Sequence, residues 1–261
     1  MYQKCKFLII PKLDEMEESL RLAEKYGFGF EYNDFFIPDV MDDEKLTDDI
    51  VSRYKAHKLP EYCTMHGAFF DVLIFSSDKK IRKISEERII QSLEIARKIG
   101  ARGVVFHTNH TSDLTSEQYV LGWLDRNEEF WRKVLPRYSD LEIYMENMFD
   151  RTPDMLCGIA ERLSDLPNFG VCFDYAHAVV FGSDIDGWVD AVSPYVKHIH
   201  INDNDLENDL HLAVGDGRIN WEHFKTCFEG KLSSAKSVLI ETSSLENQRR
   251  SAEFLTKLGI L

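Results

Sequence analysis

The chain has 261 residues, 44% of them hydrophobic, and carries a formal net charge of −14 at neutral pH. That size can bury a large core, in one large barrel or two smaller domains, and no apolar run approaches membrane-spanning length. The acidity argues against non-specific binding to a phosphate backbone, and the five cysteines, scattered without a CxxC pair, read as reduced thiols, so the expectation is a soluble cytoplasmic protein with neither a nucleic-acid partner nor a membrane partner.

In chain order, Lys6–Ile10 reads as a first strand. Leu13 to Tyr26 carries Leu13, Met16, Leu20 and Ala23 at helical spacing, and Gly27 stops it. Phe28–Asn33 is a second strand, followed by a polar-faced helix from Lys45 to His57. Glu61–Gly67 is the third strand. A loop then leads to a long helix, Lys80–Ile99, ended by Gly100. Gly103–Asn109 is the fourth strand and Ser116–Tyr138 a helical region. Leu141–Asn147 is the fifth strand, and Thr152–Leu163 a helix with Pro153 in its first turn. Phe169–Asp174 is the sixth strand, Asp186–Val192 a short helix, and VKHIHI the seventh strand. Trp221–Phe228 is another helix, Ser237–Thr242 the eighth strand, and Leu245–Leu258 the closing helix.

Eight strands alternating with helices at roughly 30 residues per unit imply parallel pairing with right-handed crossovers, and this is the count of a (β/α)8 TIM barrel. An open doubly wound sheet would more often show GxGxxG after its first strand, and the sequence has none there. The predicted fold is therefore one α/β TIM-barrel domain over residues 1–261.

In such a barrel the chemistry gathers where strands end. Strand three ends in His66, strand four in His107, strand five in Glu146 and strand six in Asp174, with His177 three residues on. Strand seven carries His200, then Asp209 and His211 in the Gly-bracketed stretch that runs to Trp221. Strand eight ends in Glu241. A single strand-end histidine is commonly structural. Six consecutive strands delivering imidazoles or carboxylates to one rim point to a divalent-metal site for Zn, Mn, Co or Mg. Asp209 and His211 are two apart, so in extended chain both side chains share a face. Asp174 and His177 span a strand end and a turn, so they can diverge towards neighbouring ions. Four carboxylates neutralise two divalent ions, or three with a hydroxide or an anionic substrate.

HGAFFDV, GVVFH, IYMEN, FDYAHA, the stretch from HIHINDND to VGDGRINW, and LIET resemble, in order and spacing, the xylose-isomerase-like TIM-barrel superfamily. It includes sugar phosphate isomerases/epimerases and endonuclease IV. The resemblance runs from about Phe7 to the last helix. Ketose epimerases of this type imply one metal held by Glu146, Asp174, His200 and Glu241. There Glu146 and Glu241 would move a proton through a metal-stabilised enediolate. Endonuclease IV-like members imply three zinc ions held by all nine positions, His66, His107, Glu146, Asp174, His177, His200, Asp209, His211 and Glu241, and hydrolysis of a phosphodiester.

Acidity, the Phe69-Phe70-Asp71 sequence after His66 and the lack of a basic cluster near the strand ends favour a small carbohydrate substrate over DNA. The leading expectation is therefore a sugar or sugar phosphate isomerase/epimerase with one to three divalent ions, and the alternative a multi-zinc abasic-site endonuclease. His198 is expected to point away from His200, into the packing between barrel and helices. His57, His110 and His223 are expected at the surface. Phe69, Phe70 and Trp221 are candidates for pocket walls, and Glu31 and Asn33 for substrate contacts. Asp203 and Asp205 are read as loop structure.

Overall fold

The computed structural model describes residues 5–261. Eight parallel strands close a barrel in sequence order. They are β1 (Lys6–Ile9), β2 (Gly29–Tyr32), β3 (Cys63–His66), β4 (Gly103–His107), β5 (Glu142–Glu146), β6 (Phe169–Asp174), β7 (Val196–Ile201) and β8 (Ser237–Ile240), and β1 pairs with β8 to seal it. Among the described residues ten α-helices surround the barrel: α1 (Met16–Tyr26), α2 (Pro38–Asp42), α3 (Glu44–Lys55), α4 (Lys79–Ile99), α5 (Glu117–Val134), α6 (Asp154–Arg162), α7 (Tyr175–Phe181), α8 (Ile185–Val192), α9 (Trp221–Glu229) and α10 (Leu245–Leu258). None of these helices is long and apolar enough to cross a membrane.

The eight strands match the expected order. Two helices escaped the sequence reading because both are short. α2 begins at Pro38 right after Ile37, and α7 starts directly at the end of β6, capped by Asp174, whose carboxylate accepts from the His177 backbone N–H. The helix stops fall at glycines as read: Gly27 and Gly100 both take left-handed φ values, 70° and 87°. Pro153 sits at the N-cap of α6 rather than inside its first turn.

Alternation along each strand sorts the core into two layers. Phe7, Ile9, Phe30, Val104, Phe106, Val171 and Phe173 join the large cluster between strands and helices. Inside the barrel the apolar filling is thin: Leu8 with Ile10 and Leu239, and Val105 with Tyr144 and Cys172. Glu31, Thr64, His198 and Ser237, all fully buried, share this interior.

Strand register sets the rim. His107 lies level with Glu146, and Asp174 with His200. Close strand approach is tightest at Gly29, where an added Cβ would lie 2.1 Å from the Tyr62 carbonyl oxygen and 2.5 Å from Leu8 Cδ2. Because one obstacle is backbone, relief requires β2 and β3 to part. Gly29→Ala is expected to cost about 3 kcal/mol, read as a lower urea midpoint at unchanged m-value.

Candidate metal centre

The nine strand-end residues converge into three groups, each with ligand atoms within 4.8 Å of one another: His66, His107 and Glu146; Glu146, Asp174, His200 and Glu241; and His177, Asp209 and His211. Spacings inside the groups are narrow. His66 Nε2 is 3.2 Å from His107 Nε2, and Glu146 Oε2 is 3.6 and 3.4 Å from those two nitrogens. His200 Nδ1 is 3.2 Å from Glu146 Oε1 and 3.3 Å from Glu241 Oε2. His177 Nε2 is 3.3 Å from Asp209 Oδ2, and His211 Nε2 is 3.2 Å from Asp209 Oδ1. Metal–ligand bonds of about 2.0–2.1 Å put adjacent ligand atoms of a tetrahedral shell roughly 3.3 Å apart. In each group these pairs lie near that edge length, and Asp174 lies within 4.8 Å of the other ligand atoms of its group.

The unpaired atoms fit the same cations. Glu146 Oε2, Asp174 Oδ2, Asp209 Oδ1 and Glu241 Oε2 are buried without a hydrogen-bond donor, one oxygen from each carboxylate of the set. A buried carboxylate oxygen left unpaired is costly, and a cation satisfies it. Glu146 is the shared member, with one oxygen facing each of two groups.

Backbone carbonyls aim the imidazoles. His66 Nδ1–H donates to Gly67 O at 3.0 Å, His177 Nδ1–H to Asn147 O at 2.9 Å, and His211 Nδ1–H to Glu241 O at 3.1 Å. Each leaves its Nε2 lone pair towards its group. Asn147, given no role by the sequence reading, also clamps the Asp174 backbone: its Oδ1 accepts from Asp174 N and its Nδ2 donates to Asp174 O, at 2.9 and 2.8 Å. An Asn directly after a strand-end Glu, in IYMEN, was its only trace in the sequence.

Electrostatics follow from crowding. Burial opposes ionisation of Glu146, yet His200 and His107 hold its carboxyl well below the usual range. Glu241, likewise opposed by burial, is brought down to about 2 by His200 and His211. Burial pushes Asp174 up to about 7. Burial alone would lower the imidazoles, but Glu241 and Asp209 bring His211 to about 10, and neighbouring carboxylates hold His177 well above its ordinary value. Protons here balance buried negative charge, and divalent ions would displace them.

Several expectations need correction. Asp209 and His211 do meet, but not in extended chain: His211 takes φ 47°, and this left-handed turn folds its ring back onto Asp209. His198 does not point away from His200. The two are two residues apart on one strand, so they share a face, and their ring centroids lie 4.8 Å apart. Glu31 contacts no open cleft. It is fully buried and faces both histidines across the barrel. His110 is half-buried rather than fully at the surface; its Nε2 pairs with buried Asp150 at 2.6 Å. Trp221 donates to Asp203 Oδ2 at 2.7 Å and so packs the loop rather than walling the site.

Asp203 is structural, as read. Its carboxylate also accepts from the backbone N–H groups of Gly215 and Ile219, which shapes the GDG turn. Phe69 lies against His107, ring centroids 4.5 Å apart, while Phe70 projects outward with 61% of its surface exposed. Phe181 packs against His177 and Phe149, and beyond it opens a cavity of about 670 Å³ lined also by His110, Ser112, Arg151 and Ser183.

Comparison with known proteins agrees with this architecture. The sequence profile of the xylose isomerase-like TIM barrel family matches residues 20–258. A probable endonuclease 4 of Mycobacterium ulcerans is 28% identical over 185 residues, covering 66% of this chain and 69% of that protein. Among solved structures, a Thermus thermophilus protein from a crystal soaked with zinc chloride superposes with a TM-score of 0.74 at 24% identity, covering 99% of this chain and 98% of that one. A D-tagatose 3-epimerase-like protein superposes with a TM-score of 0.75 at 22% identity, covering 98% of this chain and 97% of that one.

Proposed function

Because the chain belongs to the xylose isomerase-like TIM barrel family, we propose that it is a divalent-metal enzyme with up to three ions that hydrolyses a phosphate ester of a small carbohydrate-type substrate. The observation that carries this reading is the tetrahedral-edge spacing repeated in all three ligand groups. His66, His107 and Glu146 would hold one ion; Glu146, Asp174, His200 and Glu241 a second; His177, Asp209 and His211 a third. Bound there, such ions supply hydroxide at neutral pH and positive charge for a phosphoryl group. Three divalent ions against four carboxylates leave an excess of two positive charges, which suits an anionic substrate.

The chain's own residues shape what enters. Exposed Asp71, Asp113, Asp184 and Glu207 stand on the rim loops, with Arg151, which pairs with Asp113 at 2.9 Å, and Arg218 the exposed basic residues on the loops after β5 and β7. That balance repels a nucleic-acid backbone and disfavours duplex DNA. Phe69 packs against His107 and Phe181 against His177, and the cavity beyond Phe181 offers room for a small molecule.

The second reading, sugar isomerisation or epimerisation, rests on one feature: Glu146, Asp174, His200 and Glu241 are all buried and form a complete four-ligand set by themselves. On that reading Glu146 and Glu241 would exchange a proton with substrate carbon. It ranks second because Glu146 Oε2, left without a hydrogen-bond donor, faces His66 and His107 within 3.6 Å, as the three would if they shared an ion of their own. Metal analysis of protein purified without added ions tests the choice. Near three equivalents, with hydrolysis of bis(p-nitrophenyl) phosphate and no cleavage of an abasic duplex, is expected. One equivalent with solvent deuterium entering a ketose would transfer the assignment to the second reading.

A further inference from the structure

Glu31 stands on β2, and His198 and His200 on β7, strands that are not neighbours in the barrel. Their contact therefore crosses the interior. There Glu31 Oε2 accepts from Thr64 Oγ1 at 2.7 Å and faces His198 Nε2 at 3.1 Å. Glu31 Oε1 and His200 Nε2 lie 3.2 Å apart as an ion pair, and neither has a hydrogen-bond partner. The other His198 nitrogen meets the Ser237 hydroxyl at 2.7 Å, and Ser237 meets the Tyr62 hydroxyl at 3.2 Å. One assignment orders the column: Tyr62 donates to Ser237, Ser237 to His198 Nδ1, and His198 and Thr64 to Glu31 Oε2, which leaves Glu31 Oε1 and His200 Nε2 facing each other as the remaining carboxylate–imidazole pair. Barrel interiors are normally filled with apolar layers, so a fully buried carboxylate with three donors aimed at it is a costly feature unless it holds something in place.

What it holds is His200. Among the imidazoles of the ligand groups His66, His177 and His211 have Nδ1 on a backbone carbonyl and Nε2 towards their group. His200 is reversed, with Nδ1 towards Glu146 and Glu241 and Nε2 towards Glu31. We propose that Glu31 is a positioning residue that sets the Nε2–H tautomer of His200 across the barrel and so presents Nδ1 to the deepest ion, with His198 and Thr64 holding Glu31 in place. This rests on the metal-centre reading above but not on which reaction the centre performs. Glutamate suits the task because it can accept all three donors. Glutamine has one acceptor oxygen, so one imidazole must face an N–H₂ group. A His200 facing that amide must carry its proton on Nδ1 and loses its ligand lone pair.

The test begins on the unaltered protein loaded with Zn, where the imidazoles have given up their extra protons. Long-range ¹H–¹⁵N correlation of the histidine rings should show His200 as the Nε2–H tautomer; the Nδ1–H form would overturn the proposal whether or not any variant folds. In Glu31→Gln, chelator competition with Zn should show one ion weakened about 10- to 100-fold, the range of outer-partner losses, with the other ions unchanged. Glu142→Gln, at the opposite end of the barrel and paired with Lys197 and Lys236, should keep that affinity within a few-fold. Unchanged affinity for every ion in a folded Glu31→Gln protein would also overturn it. Correct tautomer and weakened ion in a protein inert towards phosphate esters would leave this inference standing and remove the proposed reaction.

Discussion

Glu146→Gln is expected to lower turnover by at least about a thousandfold, a loss of about 4 kcal/mol of transition-state stabilisation. The residue is the hinge between two ligand groups, with Oε2 facing His66 and His107 and Oε1 facing His200. An amide keeps the shape but offers one acceptor oxygen. One group therefore loses its only carboxylate or the other loses one of three, and an N–H₂ group points at a cation. Metal content should fall by at least one equivalent in the same preparation. Glu142→Gln is the matched control, because Glu142 starts the same strand at the opposite end of the barrel, paired with Lys197 and Lys236. It should keep metal and turnover. A Glu146→Gln protein with full metal content and near-normal turnover would show that the shared carboxylate is not part of the centre.

The residues that were legible in the sequence are those whose place depends on chain order alone. A strand end is recognisable from an apolar run followed by a polar residue. Once the strands close in order, His66, His107, Glu146, Asp174, His200 and Glu241 must reach one rim. Three kinds of information were not local. Glu31 and His198 acquire their role only across the barrel lumen, between strands 167 residues apart in sequence. Asp209 and His211 meet through a left-handed turn at His211, a conformation that a β-reading of DLH does not suggest. Asn147 acts through contacts with the Asp174 backbone and, from its own carbonyl, with the His177 ring, and these depend on β5 and β6 being adjacent. The ranking of functions shifts for the same reason. Residue types alone allow one ion or three, whereas 3.2–3.6 Å spacings within the groups favour three.

Removal of the ions is expected to have the largest effect on stability. A ligand at about 100 times its dissociation constant adds about 2.7 kcal/mol to the folded state, so three such sites add on the order of 8 kcal/mol. At about 2–4 °C per kcal/mol for a domain near this size, chelation should lower Tm by on the order of 15 °C or more. The difference should depend on pH, and two effects share one sign. Binding requires neutral imidazoles, so ions must displace the protons that Glu241 and Asp209 draw onto His211, and affinity rises with pH. In the stripped protein the raised His211 contributes stability that is complete below its unfolded value and lost as pH rises through about 10, while the raised Asp174 costs stability that accrues as pH climbs above its unfolded value and is complete above about 7. The gap between loaded and stripped protein should therefore widen from pH 6 to pH 8, and scanning calorimetry with and without chelator measures it directly. A Tm indifferent to chelation over that range, in protein shown by metal analysis to have been loaded beforehand, would mean that the four carboxylates are stabilised by something other than a cation.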